Sequence, residues 1–184
     1  MNDISKTKID ITIFSRQNGY LTITTNIIHD SFVHGTGCKI GNFCVIEEDG
    51  VIGDNVDIQN YVLLRKGTRI GNSCYVDSYF RSSGDNEIGN NVTLRFGSTI
   101  ARKVFIEDDV FISPNVMTVF SLPDGTKSAG TYIKKGAFIG TAVVLAPNIT
   151  IEAGCIIGAN AFVNKSCIER GVYVGTPAKQ IRKL

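Results

Sequence analysis

The chain is 184 residues long, a length that suits a single domain, and its formal net charge is only +2. Nucleic-acid-binding and membrane-surface proteins carry concentrated basic blocks, so this charge argues against both classes. No apolar run approaches the roughly 18 residues of a membrane span, and the N-terminal residues lack the apolar core of a signal peptide. We therefore expect a soluble, cytoplasmic protein with neither nucleic-acid nor membrane partners.

β-Branched aliphatic residues dominate the hydrophobic part of the composition. The sequence holds 24 Ile and 16 Val against 7 Leu, with no Trp and with 19 Gly. β-Branched side chains pack well on pleated surfaces, and glycine is common in tight turns. This balance favours an all-β fold made of short strands and tight turns.

The first segments of the chain alternate with a period of two. Ile9–Ile13 reads Ile-Asp-Ile-Thr-Ile, Tyr20–Thr24 reads Tyr-Leu-Thr-Ile-Thr, and Asn18–Gly19 lies between them. An Asn-Gly pair between two alternating segments predicts a β-hairpin. We interpret residues 1–27 as a hairpin cap over a strand edge that would otherwise be unpaired.

From residue 28 onward the period changes to six. An aliphatic residue recurs at every sixth position, and a small or β-branched residue usually follows it by four. This period fits neither an α-helix nor simple strand alternation, and it is typical of a parallel β-helix built from hexapeptides. The aliphatic positions are Ile40, Ile46, Ile52, Ile58, Leu64, Ile70, Val76, Ile88, Leu94, Ile100, Ile106, Ile112, Ile133, Ile139, Leu145, Ile151, Ile157 and Val163.

The cysteines follow the same period. Every one falls in the small position, which predicts buried thiols. Their number is odd and no Cys-x-x-Cys pair occurs, so the sequence supports neither a disulfide framework nor a zinc knuckle. They are Cys38, Cys44, Cys74, Cys155 and Cys167.

The repeat breaks at two places. In residues 81–87, Ser82 occupies an aliphatic position and Asn86 a small one, and residues 119–131 form an insertion between two hexapeptides. Functional sites are expected where a regular pattern is broken. With three hexapeptides per turn, residues 18 apart stack, so both breaks open from one corner, roughly 10 Å apart at the spacing of β-strands.

The pattern resembles that of the hexapeptide-repeat acyltransferases, over residues 28–184. The resemblance implies a left-handed parallel β-helix over residues 28–175, an extruded loop at 119–131 and a C-terminal arm at 176–184. It also implies a homotrimer in which acyl-CoA, here acetyl-CoA, lies between neighbouring subunits beneath the extruded loop.

The same resemblance implies the coenzyme contacts. Two glycine-containing pairs match backbone contacts along the pantetheine arm, one pair matches a Thr-Lys pair of the last coil, and two basic residues match a closing motif that faces the coenzyme phosphates. Lys and Arg neutralise phosphate charge. The matching residues are Gly140, Thr141, Gly158, Ala159, Asn164, Lys165, Lys179 and Arg182.

The chain lacks the histidine that O-acetyltransferases of this family place near the extruded loop as general base. Only His29 and His34 are present, and His29 would lie about five turns from the loop at the strand spacing. Two histidines cannot supply a three-histidine zinc site, and no metal is expected. An unprotonated amine attacks a thioester without a base of its own. Without the loop histidine, the sequence looks more like the family members that acylate nucleotide-linked amino sugars. This resemblance implies transfer of an acyl group, here acetyl, to the amine of such a sugar, for surface polysaccharide biosynthesis.

The acceptor site is predicted at the first break. Asp85 and Glu87 would form an acidic wall that holds the amino group and accepts its proton, with loop 119–131 as a lid. Arg81, Ser83 and Arg95 are the candidate substrate-binding residues, and the guanidinium groups of the two arginines suit phosphates.

Two alternatives stay open. One is a sugar O-acetyltransferase that uses a base other than histidine. The other is a non-catalytic β-helix scaffold, which the absent histidine favours and the basic C-terminal residues oppose.

Overall fold

The computed structural model of the chain is an all-β solenoid. It describes residues 7–17, 20–121, 124–125 and 128–184, which form 25 strands and contain no helix able to cross a membrane. Most strands have two residues, and each complete coil contributes one strand to each of three sheets. The structure confirms the parallel β-helix predicted from the six-residue period, and its three parallel sheets agree with the left-handed coil that the family resemblance implies.

The first sheet begins with the N-terminal hairpin. Strand β1 (Thr7–Gln17) pairs antiparallel with β2 (Tyr20–His29), as predicted, and the turn Asn18–Gly19 lies outside the described residues. The last residues of β2 pair in parallel with the next coil, so the six-residue repeat starts inside this strand. The other strands of this sheet are β5 (Val45–Ile46), β8 (Leu63–Leu64), β11 (Arg81–Ser82), β14 (Thr99–Ile100), β17 (Met117–Thr118), β20 (Val144–Leu145) and β23 (Phe162–Val163).

The second sheet follows the first in each coil. Its strands are β3 (Val33–His34), β6 (Val51–Ile52), β9 (Arg69–Ile70), β12 (Glu87–Ile88), β15 (Val104–Ile106), β18 (Thr131–Ile133) and β21 (Thr150–Ile151). We call the turn region between the first and second sheets the first corner; it includes residues 47–50, 65–68, 83–86, 101–103, 146–149 and the described residues of 119–130.

The third sheet completes each coil and ends in the C-terminal arm. Its strands are β4 (Lys39–Ile40), β7 (Asp57–Ile58), β10 (Tyr75–Val76), β13 (Thr93–Leu94), β16 (Phe111–Ile112), β19 (Phe138–Ile139), β22 (Ile156–Ile157), β24 (Gly171–Val174) and β25 (Lys179–Lys183). The last two pair antiparallel, so the arm is extended. We call the turn region between the third and first sheets the third corner; it includes residues 77–80, 95–98, 140–143 and 158–161.

The core is a stack of the predicted aliphatic residues. In the complete coils, the second residue of a two-residue strand points inward; Ile46, Leu64, Ile100 and Leu145 are examples of fully buried side chains. The small positions lie beside the turns, where little space remains. Four of the five predicted buried thiols are buried and the fifth, Cys38, is half-buried; all five are free.

Candidate functional site

Both breaks in the repeat leave the solenoid at the first corner. Strands β11 and β17 lie in the first sheet with only β14 between them, and the chain departs from the regular path after each. The structure therefore brings the two breaks together, as the 18-residue stacking predicts.

The extruded loop is closed at its base. The backbone N–H of Ser128 donates to the carbonyl oxygen of Phe120 at 2.7 Å, and the N–H of Ala129 donates to Asn148 Oδ1 at 2.7 Å. Residues 122–123 and 126–127 of the predicted lid lie outside the described residues. The lid role stays a prediction.

A groove with a volume of about 690 Å³ runs along the first corner and onto the second sheet. It extends from Ser31 in the first coil past Lys103 to Ala129 at the base of the loop. Ser31 and Lys103 are four coils apart, or roughly 19 Å at a strand spacing of ~4.8 Å. The groove is therefore long enough for an extended ligand with several polar groups.

The predicted acidic wall lines this groove. Asp85 is on the first corner and Glu87 begins β12, and both side chains are exposed toward the cavity that they line. Two carboxylates in one groove can accept hydrogen bonds from hydroxyl or amino groups and can take up a proton.

The polar residues of the first break form a buried hydrogen-bonded chain. The hydroxyl of Ser82 lies 2.6 Å from that of Thr68 and donates to Asn86 Oδ1 at 2.5 Å. Asn86 Nδ2 donates to the carbonyl oxygen of Ala101 at 2.5 Å, and the N–H of Ala101 donates to Thr118 Oγ1 at 2.6 Å. Buried polar groups are stable only when hydrogen-bonded. This chain therefore connects the first break to the strand that precedes the loop.

Three cations line the groove, and none of them was predicted. Lys66 forms ion pairs with acidic residues of the same corner, and the other two cations are Arg69 and Lys103. Arg69 on β9 is the Cα partner of Glu87, and the backbone N–H of Lys103 donates to the carbonyl oxygen of Asp85. Both side chains are exposed, and neither forms an ion pair with any residue in the described part of the chain. Both side chains point outward, and the six-residue period constrains only the inward positions, so it does not distinguish these two residues from other surface residues.

The predicted substrate residue Arg95 lies at another corner. Its Nε is 3.2 Å from Asp77 Oδ2, and its guanidinium lies 6.0 Å from the centre of the Tyr75 ring. Both partners are on the third corner or the third sheet. The structure therefore does not bring Arg95 to Asp85 within one chain.

The remaining two substrate candidates flank the groove without lining it. Arg81 is exposed on the outer face of the first sheet. Ser83 is half-buried on the first corner, where its carbonyl oxygen accepts a hydrogen bond from Arg102 Nε at 3.1 Å.

The predicted coenzyme residues form three groups in one chain. Gly140, Thr141 and Ala159 lie on the third corner, whereas Asn164 and Lys165 follow β23 at the edge of the first corner, beyond the loop. The third group lies on the outer strand β25 and consists of the exposed Lys179 and Arg182.

Gly140 has a structural reason of its own. A Cβ at this position would lie 2.6 Å from the carbonyl oxygen of Ile157 and 2.7 Å from the backbone nitrogen of Ala159. Neither backbone atom can move away without distorting the next coil. The close stacking of the coils therefore requires glycine at position 140, whether or not a coenzyme binds there.

The histidines lie at the first coil. His29 Nδ1 is 2.8 Å from Ser31 Oγ, at the far end of the groove from the loop, and His34 is exposed. Within the described ranges, no three His, Cys, Asp or Glu side chains are grouped as metal ligands.

The chain matches known proteins in sequence. Residues 130–165 match the family model described as bacterial transferase hexapeptide (six repeats). A chloramphenicol acetyltransferase of Agrobacterium fabrum (strain C58) is 35% identical over 74 residues, covering 40% of this chain and 35% of that protein. The chain spans less than half the length of the curated relatives that it matches.

Two solved structures are similar in fold. A maltose O-acetyltransferase from Clostridium difficile 630 is 25% identical, with a TM-score of 0.56 over 60% of this chain and 66% of that chain. A mutant of AntD, an N-acyltransferase from Bacillus cereus, in complex with dTDP-4-amino-4,6-dideoxyglucose and coenzyme A, is 20% identical, with a TM-score of 0.59 over 82% of each chain. Residues 130–165 thus match the hexapeptide repeat of the bacterial transferases, and the two solved structures share the fold of the chain.

Proposed function

We propose that the protein transfers an acyl group, acetyl in the simplest case, from acyl-CoA to the amino group of a nucleotide-linked amino sugar bound in the groove. One observation carries the proposal: two exposed carboxylates, Asp85 and Glu87, share the groove with Arg69 and Lys103, two cations that form no ion pair within the described part of the chain. The carboxylates suit an amine and sugar hydroxyls, and the cations suit a diphosphate.

The reaction needs little from the protein beyond orientation and one proton acceptor. The amine nitrogen attacks the thioester carbonyl carbon, the carbon–sulfur bond breaks, and an amide and a thiolate result. The proton of the resulting ammonium passes to Asp85 or Glu87, or to the leaving thiolate, since a thiol has a pKa of about 8–9. This assignment requires no histidine beside the acidic wall.

Coenzyme binding is proposed to need a homotrimer. The predicted contacts are divided between the third corner, with Gly140, and the edge of the first corner, with Lys165. A threefold assembly in which the first corner of one subunit faces the third corner of the next would complete a single groove. Lys165 is exposed, so its ammonium is free to meet a phosphate. We propose that this assembly works in the cytoplasm, in surface polysaccharide synthesis.

The test is free-thiol release from acetyl-CoA with a panel of UDP-, dTDP- and GDP-linked amino sugars beside their hydroxyl counterparts. We expect turnover with an amino sugar and none with the matching hydroxyl compound. A thermal shift with acetyl-CoA should accompany it, since a ligand stabilises the folded state by RT ln(1 + [L]/Kd). No thiol release with any acceptor, together with no thermal shift with acetyl-CoA, would refute the enzyme proposal and favour the non-catalytic scaffold.

O-Acetylation is the second candidate. It is favoured by the maltose O-acetyltransferase, which reaches 25% identity. In that case Glu87 or Asp85 would act as general base toward a sugar hydroxyl. Turnover with hydroxyl acceptors in the same panel would establish it against N-acylation.

A further inference from the structure

We infer that Phe105 is the platform on which the sugar ring of the acceptor stacks, and hence a residue that determines acceptor specificity. The inference rests on the proposed function and goes beyond it, because it identifies the part of the acceptor that each side of the groove contacts. The side chains concerned lie on the outer face of the second sheet.

Three outward-facing residues follow one another across adjacent strands. Glu87 on β12 is the Cα partner of Phe105 on β15, which is the Cα partner of Tyr132 on β18. Adjacent parallel strands lie ~4.8 Å apart. The carboxylate-bearing side chain and the two rings therefore form one ascending row.

The two rings stack on each other and leave one face of Phe105 open. The centroids of Phe105 and Tyr132 are 5.0 Å apart and their planes differ by 14°. Tyr132 therefore covers one face of Phe105, and on the other side of Phe105 the adjacent strand carries Glu87 and not a further ring. Lys134 holds the other end of the row, because its Nζ lies 5.6 Å from the Tyr132 centroid and 2.7 Å from Glu107 Oε1.

The open face of Phe105 lies where two cavities meet. Phe105 and Glu87 line both the main groove and an adjoining cavity of about 260 Å³ that extends over Tyr132. A half-buried ring that borders both spaces is accessible to a ligand passing between them. This position is unlike that of the aromatic ladder Phe43, Tyr61, Tyr79 and Phe96, whose rings lie on the third corner, away from the carboxylates.

A pyranose fits the chemistry of this position. One face of the ring presents C–H groups, which pack on an aromatic face, and the rim presents hydroxyl and amino groups, which donate to carboxylates. With the sugar on Phe105, its rim meets Glu87, and Arg69 on the next strand beyond Glu87 is in place for the phosphate attached to the sugar. A ligand pocket typically combines one such apolar contact with a few convergent polar groups.

A nucleobase also has a flat apolar face, and the experiment separates the two rings. Isothermal titration calorimetry would compare the wild-type protein with Phe105→Leu and Phe105→Tyr, using the UDP-, dTDP- and GDP-linked amino sugars and the corresponding nucleoside diphosphates. We expect Phe105→Leu to raise the Kd of the sugar nucleotide about tenfold, the upper end for one aromatic contact. It should leave the Kd of the nucleoside diphosphate unchanged, and Phe105→Tyr should bind as the wild type does.

Phe111→Leu is the matched control. Phe111 stacks on Phe138 with a centroid distance of 5.3 Å and planes 10° apart, on the outer face of the third sheet. The Phe111→Leu variant loses the same kind of ring stack, but Phe111 does not line the groove. The affinity of this variant for the sugar nucleotide should therefore equal that of the wild type. An equal loss in this control would show that stacking matters only for the fold and would overturn the inference.

The remaining outcomes are equally decisive. Wild-type affinity in Phe105→Leu refutes the platform while leaving the proposed function intact. A parallel loss of affinity for the nucleoside diphosphate shows that the base occupies the ring, which also refutes it. Wild-type protein that binds no member of the panel, and releases no thiol, refutes the proposed function itself, and the platform falls with it.

Discussion

The hydroxyl of Ser82 donates to Oδ1 of Asn86 at 2.5 Å inside a core that is mostly aliphatic. Between these residues the chain makes the turn that carries Asp85, and the N–H of Gly84 within that turn donates to Ser82 Oγ at 3.1 Å. The polar pair thus closes the turn from below while Asp85 faces the groove. A break in the repeat that looks like lost packing is, in the structure, the support of the acidic wall.

The first prediction concerns this support. Ser82→Ala should lower the free energy of unfolding by about 1–3 kcal/mol, since Asn86 Oδ1 loses its donor in a buried environment. Urea denaturation of the purified protein measures the change. Ser73→Ala is the control, because Ser73 is exposed on the turn between the second and third sheets. Its stability should change by less than about 0.5 kcal/mol, and an equally small effect at Ser82 would contradict the supporting role.

The second prediction concerns the acidic wall. Asp85→Asn and Glu87→Gln keep the shape of each side chain and remove its charge. Neutralising the carboxylate that accepts the proton should lower kcat by about 10²-fold or more. The KM of acetyl-CoA should stay unchanged. Steady-state thiol release with the best acceptor measures both constants.

The control for the acidic wall is Asp109→Asn, an exposed carboxylate at a different corner of the solenoid, paired with Lys135. It should retain wild-type turnover. Full activity in both Asp85→Asn and Glu87→Gln would remove the wall from the mechanism, and loss of coenzyme affinity in either would assign it a role in coenzyme binding instead.

The sequence predicts the coil because the interior of a β-helix allows few choices. An aliphatic residue such as Leu94 must fill each strand position, so the period is visible without the structure. The acidic wall could be predicted for the opposite reason, since Ser82 breaks that period. Arg69 and Phe105 each lie 18 residues from Glu87, so the spacing places them beside it. Outward positions accept any side chain, however, and the period does not mark these two residues as functional.

The same 18-residue spacing predicts an ion pair at another corner. Arg95 and Asp77 are 18 residues apart, so they stack in adjacent coils, and their opposite charges make an ion pair the simplest expectation. The coenzyme residues are a different case. Their grouping depends on how copies of the chain assemble, which neither the repeat nor a single chain specifies.

The third prediction concerns acid stability. The hydrogen bond from Lys134, with a further one from the backbone N–H of Lys135, lowers the pKa of Glu107 from its usual value of 4.5. A carboxyl with a lower pKa in the folded state binds protons less readily there than in the unfolded chain. It therefore stabilises the fold above the unfolded pKa, and this stabilisation is lost as the pH falls through the folded pKa.

The measurement is the urea midpoint of the wild type and Glu107→Gln between pH 3 and pH 6. The wild type should lose more stability than the variant as the pH falls below about 4.5, the unfolded value. The ion pair is exposed, so the difference should be small and should shrink further in 0.5 M salt. Identical pH profiles at low salt would show that Glu107 contributes nothing to acid stability.

The last prediction concerns the five thiols. Burial raises the pKa of Cys44, Cys74 and Cys155, and it raises the pKa of Cys167 to about 12. The thiolate is the reactive species, so a buried thiol with a raised pKa reacts slowly. Only Cys38 is half-buried. Native protein at pH 8 should therefore react with Ellman's reagent at no more than one thiol, and protein unfolded in guanidinium chloride should react at all five.

Cys38→Ser isolates the predicted reactive site. The variant should lose the fast phase in the native protein and release four thiols after unfolding. Any fast thiol in native Cys38→Ser would mean that a coil opens readily, because the four remaining sulfurs are buried and can reach the reagent only through local unfolding. The same measurement gives the background of the thiol-release assay. One reactive thiol per chain gives at most a stoichiometric signal, whereas catalytic turnover of acetyl-CoA releases many thiols per chain.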